Sequence, residues 1–207
     1  MKLIRAVLPL LVLFLLCPTL ASAQPQGRVD AYFGMGSAHD GSSNQFVDLL
    51  GTGTFSLTNS MGGVFGTVGG GFMFKSNLGV GAEMSLRFVQ GDYAGLGYRP
   101  IFYDFNGIWT PSFGTKRVMP EIQVGFGGLS LRFYGGAQNY NPYTGSSSNF
   151  VGSYSHFQLH TAFGLRVYVK EHVFVRPQFD YRWVHGLSDQ FKSDSVTAYT
   201  LAVGYSF

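Results

Sequence analysis

Ser153, Ser155, His156 and Asp180 supply the residue types of a hydrolytic nucleophile, base and orienting acid, and His156 with His160 offers two nitrogens of the kind metals favour. Nucleophilic catalysis needs its groups within hydrogen-bond reach of one another, and a chain this rich in serine contains such a set without any catalytic arrangement. The two histidines are roughly 13 Å apart on a strand at about 3.3 Å per residue, too far to share one zinc. Hydrogen-bonded histidines of a polar interior or mouth are the simpler reading. The run Gly69-Gly70-Gly71 lacks the following helix that makes a glycine loop a phosphate site, so it reads as close packing or strand bending. No catalytic, cofactor or metal site is therefore expected.

A different pattern carries more weight. Glu83, Arg87, Asp104, Glu121, Arg166, Arg176, Asp180 and Arg182 all fall in mid-segment, on the polar side of alternating stretches. Charges so placed are tolerable in an enclosed space only if they pair and hydrogen-bond. Glu83, Arg87, Glu121, Arg176, Asp180 and Arg182 are the expected members of such a network.

The elements that position them are strands. Alternation predicts eight: Arg28 to Gly36, Gly62 to Lys75, Leu78 to Gln90, Arg99 to Thr110, Arg117 to Tyr134, Ser153 to Val169, Val173 to His185 and Ser195 to Phe207. In the third, Val80, Ala82, Met84, Leu86 and Phe88 share one face, with Gly81, Glu83, Ser85 and Arg87 on the other. A slip of one residue would exchange the faces, so the register is firmly set. In the fifth, the apolar parity passes from Ile122, Val124 and Phe126 to Leu129, Leu131 and Phe133, which predicts a bulge near Gly127-Gly128. Phe46 to Leu50 is an apolar patch suited to a short helix or to packing over a barrel mouth. Connections alternate between long ones (Gly36 to Met61, Gly91 to Tyr98, Gly135 to Gly152, Gly186 to Asp194) and short ones (Ser76-Asn77, Pro111 to Lys116, Lys170 to His172). Outer-membrane barrels show this asymmetry, with tight periplasmic turns and longer outer loops.

The chain start and composition agree. Lys2 and Arg5, an apolar run from Ala6 to Leu16, and Ala21-Ser22-Ala23 have the layout of a secretory signal peptide over residues 1–23, with Ala21 and Ala23 at the cleavage site. The run is shorter than the roughly 17–25 residues of a spanning helix. Cys17, the only cysteine, lies within it, so residues 24–207 are expected to carry no thiol chemistry. Losing Lys2 and Arg5 reduces 14 basic residues to 12 against 11 acids, which leaves no basic footprint for nucleic acid. With no later apolar run long enough for a spanning helix, any membrane crossing must use strands.

Alternation fits both a soluble barrel with an apolar interior, which would bind a hydrophobic ligand, and a membrane barrel with an apolar exterior. Paired mid-strand charges favour the membrane form, as do Tyr98, Trp109, Tyr134, Tyr154 and Trp183 near strand ends, where interfacial aromatic girdles lie. In the last segment, Tyr199, Leu201, Val203, Tyr205 and Phe207 fall on one face and the chain stops on the aromatic. There the sequence resembles the small outer-membrane β-barrel proteins, including OmpA-like and OmpX-like barrels, whose terminal strand is read by the outer-membrane assembly machinery. The resemblance covers the barrel alone, without a soluble peptidoglycan-binding domain.

It implies an all-β, eight-stranded antiparallel up-and-down transmembrane barrel in the cell outer membrane, monomeric, in contact with outer-membrane lipid and lipopolysaccharide. The expected role is structural or surface-interaction, with Ser37 to Ser60 and Gln138 to Phe150 offering adaptable surface contacts. A lipid A-modifying enzyme is the alternative within the same architecture. Inward-pointing Glu, Arg, Gln and His leave little free lumen in eight strands, which disfavours a general diffusion pore.

Overall fold

The computed structural model describes residues 28–41, 45–47, 53, 56–58, 61–93, 95–111, 117–141, 146–191 and 193–207. The signal-peptide reading, including Ala21 and Ala23, lies outside them. Eight strands form the wall: β1 (Arg28–Asp40), β4 (Val64–Met73), β5 (Leu78–Arg87), β7 (Leu96–Trp109), β8 (Val118–Asn141), β9 (Ser146–Tyr168), β10 (Val173–Val184) and β11 (Ser195–Ser206). Each pairs antiparallel with its neighbours in sequence, and β1 closes the ring on β11 from Asp30↔Ser206 to Asp40↔Val196. Closure leaves the wall without an open edge, the condition for burying a sheet in lipid. Three short strands extend it at the outer end: β2 (Gln45–Val47), β3 (Ser56–Thr58) and β6 (Gly91–Tyr93).

The barrel is apolar outside and charged inside. Phe33, Phe126 and Leu201 point outward at 68%, 58% and 58% exposure, whereas Glu83, Glu121, Arg166, Arg176, Asp180 and Arg182 are buried within. This arrangement overturns the soluble alternative, which needs the reverse. Trp109, Tyr134 and Trp183 lie on the outward side of the wall. Tyr98 does not: it is fully buried inside the barrel. Tyr154 shares the inward parity of Leu131, its cross-strand partner, and packs edge-on to Phe133 at 5.9 Å at the outer mouth.

The expected bulge at Gly127-Gly128 is absent. Both pairings of β8 run unbroken through it, with Asp104↔Gly127↔Gln158 and Tyr103↔Gly128↔Phe157. The change of apolar parity has another cause. Leu129, Leu131 and Phe133 continue the inward side of Glu121 and Gln123, because the outer half of the lumen is itself apolar. Register does shift further along, at Phe133/Tyr134 and Tyr134/Asn139. There β8 and β9 leave the barrel as a two-stranded ribbon that pairs as far as Asn141↔Ser146, in place of the loop expected over Gly135 to Gly152. Phe46 belongs to β2, paired with Leu57, and not to a helix.

The apolar outer half of the lumen is a plug. Phe65, Tyr98, Phe102, Leu129, Leu131, Phe133, Val184 and Val196 converge from the wall, with Met61 just before β4 and Tyr93 on β6. Leu187 and Phe191 complete it from the β10–β11 connection, where a single helical turn, α1 (Ser188–Phe191), lies over the mouth. Tyr93 holds the turn by donating to the Gln190 carbonyl at 2.9 Å. Asp194 accepts from the Ser188 amide at 2.7 Å, and that bond holds its carboxyl below the ordinary aspartate range.

Candidate functional site: the charged lumen

Beneath the plug, inward positions at every second residue deliver five carboxylates (Asp30, Glu83, Asp104, Glu121, Asp180), three guanidiniums (Arg166, Arg176, Arg182) and His160 to one enclosed layer, all buried. A charge there is stable only if every neighbour supplies the hydrogen bonds that water would. The bonds are present. Arg166 bridges Asp30 and Glu121. Arg176 bridges Glu121 and Glu83, at 3.0 Å each. Arg182 reaches Asp104 at 3.2 Å, Glu83 at 3.6 Å and Asp180 at 3.7 Å. The result is one continuous bridge across the lumen, from β1 through β9, β8, β10 and β5 to β7.

Each buried guanidinium also covers an aromatic ring: Arg166 over Phe174 at 5.1 Å, Arg176 over Tyr32 at 3.6 Å and Arg182 over Phe102 at 5.1 Å. A planar guanidinium can do this while forking to carboxylates in its own plane, which an ammonium cannot. Space for Tyr32 comes from Gly69, its cross-strand partner, where a Cβ would fall 2.3 Å from the phenol oxygen. The glycine run is thus a packing device at this position, and the phenol donates to Glu83 at 3.0 Å.

A second chain of bonds has a fixed direction. Ionised Glu121 can only accept, so Gln123 turns its amide nitrogen to it at 2.7 Å and its oxygen to the Asn106 nitrogen at 3.0 Å. Asn106 then presents its oxygen to His160 Nδ1 at 2.9 Å, while His160 Nε2 faces the Asp180 carboxylate at 2.8 Å. Both ring nitrogens thus face oxygen atoms of their neighbours. Arg28 adds a further guanidinium from the periplasmic rim, 3.2 Å from Asp30.

Of the residues singled out in the sequence, Glu83, Glu121, Arg176, Asp180 and Arg182 stand together in this layer. Arg87 stands apart, at the base of the plug, donating to the Tyr98 hydroxyl at 2.8 Å with its guanidinium over that ring. Asp30, Tyr32 and the Gln123–Asn106–His160 relay were not assigned to the network. The two-residue spacing of Asp30, Tyr32 and Gly34 on β1 was the available signal. Tyr199, Leu201, Val203, Tyr205 and Phe207 all point outward from β11 and its end.

The hydrolase set is not assembled. Ser153 and Ser155 are exposed on the outward side, and His156 meets the His185 carbonyl at 3.1 Å, while Asp180 is bonded to His160. Among the described residues no group of three or more His, Cys, Asp or Glu converges to hold a metal ion. Between network and plug lies a void of about 10 Å³ edged by Phe65, Phe102 and Arg182, room for about one water. The larger hollow, about 570 Å³, is open at the periplasmic end beside Arg28, Tyr168 and His172.

The model of the outer membrane protein beta-barrel domain matches residues 8–207. No curated protein matches the sequence. Among solved structures, Ail, the attachment invasion locus protein of Yersinia pestis, in complex with the heparin analogue sucrose octasulfate, is 14% identical over 88% of this chain and 100% of its own, with a TM-score of 0.54. The Pseudomonas aeruginosa outer membrane protein OprG is 12% identical over 87% of this chain and 96% of its own, with a TM-score of 0.54. Neisserial surface protein A is 14% identical over 87% and 95%, with a TM-score of 0.52. At such identities the likeness is one of fold.

Proposed function

This chain belongs to the outer-membrane β-barrel family and resides in the outer membrane, and within that family we propose that it is a closed, non-conducting anchor for a surface-displayed β-ribbon. The observation that carries this reading is a lumen sealed twice, by the ion-paired layer and by the aromatic plug, beneath a ribbon that outruns the barrel. β7 accompanies β8 only to Gly97↔Tyr134, whereas β8 and β9 remain paired to Asn141↔Ser146. That extension is about 23 Å at about 3.3 Å per residue. A rigid base favours a surface contact, because less conformational entropy is lost on binding than from a loose loop. Among the described residues Ser153, Ser155, His156 and Asp180 do not converge, which fits a role without catalysis. The binding of a sulfated saccharide by the structurally similar Ail makes such a ligand the first probe for the ribbon. The outward face of β11 from Tyr199 to Phe207 is, in the same reading, the segment presented to the assembly machinery, and the barrel works as a monomer.

The test has two parts. Purified protein in planar bilayers is expected to show no steady conductance, and an open-channel current would overturn the sealed-lumen reading. Cells displaying the full chain, or a version with residues 135–152 replaced by an Asn-Gly turn, are then compared for retention on a heparin-coated surface. Loss of retention with unchanged heat-modifiable mobility supports the ribbon as the contact. Equal retention removes the ribbon and leaves a structural role.

A further inference from the structure

On the lipid side of the wall two arginines oppose each other. Arg99 of β7 is the cross-strand partner of Arg132 of β8, and Ser153 of β9 is the partner of Arg132 in turn. Their neighbours Tyr98, Pro100, Leu131 and Phe133 are all buried inward, so both guanidiniums project outward, Arg132 exposed and Arg99 half-buried. Like charges directly opposite in a sheet are destabilising, and natural strands place an opposite charge there. Among the described residues no carboxylate supplies one to either arginine. Asp92, the outward acid on the adjoining β6, is turned onto the Gly95 amide at 2.9 Å. Arg99 spends Nη2 on the Phe88 carbonyl at 3.2 Å and leaves Nε, which is buried, without a partner.

The height of the pair identifies what lies opposite. From Arg99 to Trp109 the strand runs about 33 Å at about 3.3 Å per residue, and a tilt of about 40° brings this to about 25 Å, the height of an outer-membrane apolar band. From Ile101 to Trp109 the outward partners are Ile101 with Ser130, Tyr103 with Gly128, Phe105 with Phe126, Gly107 with Val124 and Trp109 with Ile122. Trp109 therefore marks the periplasmic boundary and the arginines the outer one, at the headgroups of the outer leaflet.

We infer that Arg99 and Arg132, with Ser153 beside them, form a binding site for the phosphate of a phosphorylated lipid of the outer leaflet. A phosphate offers several acceptor oxygens to two guanidinium forks and a hydroxyl, and converts the repulsive pair into a bridged one. The site names residues and chemistry for the lipid contact and rests on the membrane location, not on the ribbon's role.

The experiment uses residues 24–207 folded in phosphatidylcholine nanodiscs that carry bis-phosphorylated lipid A, lipid A with both phosphates removed, or no lipid A with inorganic phosphate in the buffer. Retained lipid is counted by native mass spectrometry, and the temperature of the heat-induced mobility change is followed for each. Wild type is expected to hold phosphorylated lipid A in preference to the dephosphorylated form, and Arg99→Gln or Arg132→Gln to weaken that hold roughly fivefold each. The sign of the stability effect is diagnostic. Without phosphate the substitutions are neutral or raise the transition temperature, because a repulsion is removed; with phosphorylated lipid A they lower it. Arg117→Gln with Lys170→Gln, at the periplasmic end, removes equal charge and is expected to change neither. Unchanged retention in the Arg99 and Arg132 variants, or an equal loss in the control, would overturn the site. Stabilisation by inorganic phosphate matching that by lipid A would overturn the lipid as its occupant.

Discussion

The Arg176 guanidinium lies 3.6 Å from the centre of the Tyr32 ring, and both residues meet the same oxygen, Glu83 Oε2, at 3.0 Å. One side chain thus joins an aromatic face to two carboxylates, and the layer depends on it. Arg176→Gln leaves Glu83 and Glu121 buried with reduced compensation, and the expected loss is about 3–5 kcal/mol. Tyr32→Phe, which removes one donor, is expected to cost about 1 kcal/mol. Urea midpoints of the heat-modifiable band measure both, and equal midpoints for wild type and Arg176→Gln would remove Arg176 as a keystone.

Gly69 and Tyr32 are coupled by contact. Gly69→Ala forces the phenol off Glu83 and is expected to destabilise by about 1–3 kcal/mol. In a Tyr32→Ala background the same substitution should cost much less, giving a coupling of about 0.5–3 kcal/mol in a double-mutant cycle. Additive effects would place the strain elsewhere.

In the sealed-anchor reading the plug contributes stability, while the ion layer below it closes the lumen independently. Leu131→Ala is expected to cost about 2–5 kcal/mol with no gain of conductance in planar bilayers, since Arg182 still spans to Glu83, Asp104 and Asp180 below. A current in this variant would show that the plug is the seal.

His160 stands between two oxygen atoms, Asn106 Oδ1 at 2.9 Å from Nδ1 and Asp180 Oδ1 at 2.8 Å from Nε2. Nitrogen-15 spectra of histidine-labelled protein are expected to show at least one slowly exchanging ring proton on a buried histidine, absent in His160→Gln. No protected ring proton would remove His160 from the Glu121–Gln123–Asn106–His160–Asp180 chain.

Deleting Phe207, whose amide donates to the Val29 carbonyl at 2.8 Å and whose ring packs on Tyr205 at 4.9 Å, is expected to reduce folded protein in the outer membrane. Wild-type amounts would remove the residue from the assembly signal.

The two-residue alternation of segments such as Val80 to Phe88 is a local property, since successive side chains of a strand point to opposite sides whatever lies beyond. For that reason the number of barrel strands, their order and the segregation of Glu83 or Arg182 from the apolar side were all legible in the sequence. What lies across the lumen is not local. Asp30 meets Arg166 from 136 positions away because the ring closes β1 onto β11 and brings β9 to face it. The interior also changes from charged to apolar along its axis, so Leu129 and Leu131 read as a change of face when they were a change of depth. Alternation reports the side of the wall on which a residue stands; only the closed barrel decides what stands opposite, because that depends on all eight strands meeting at one height.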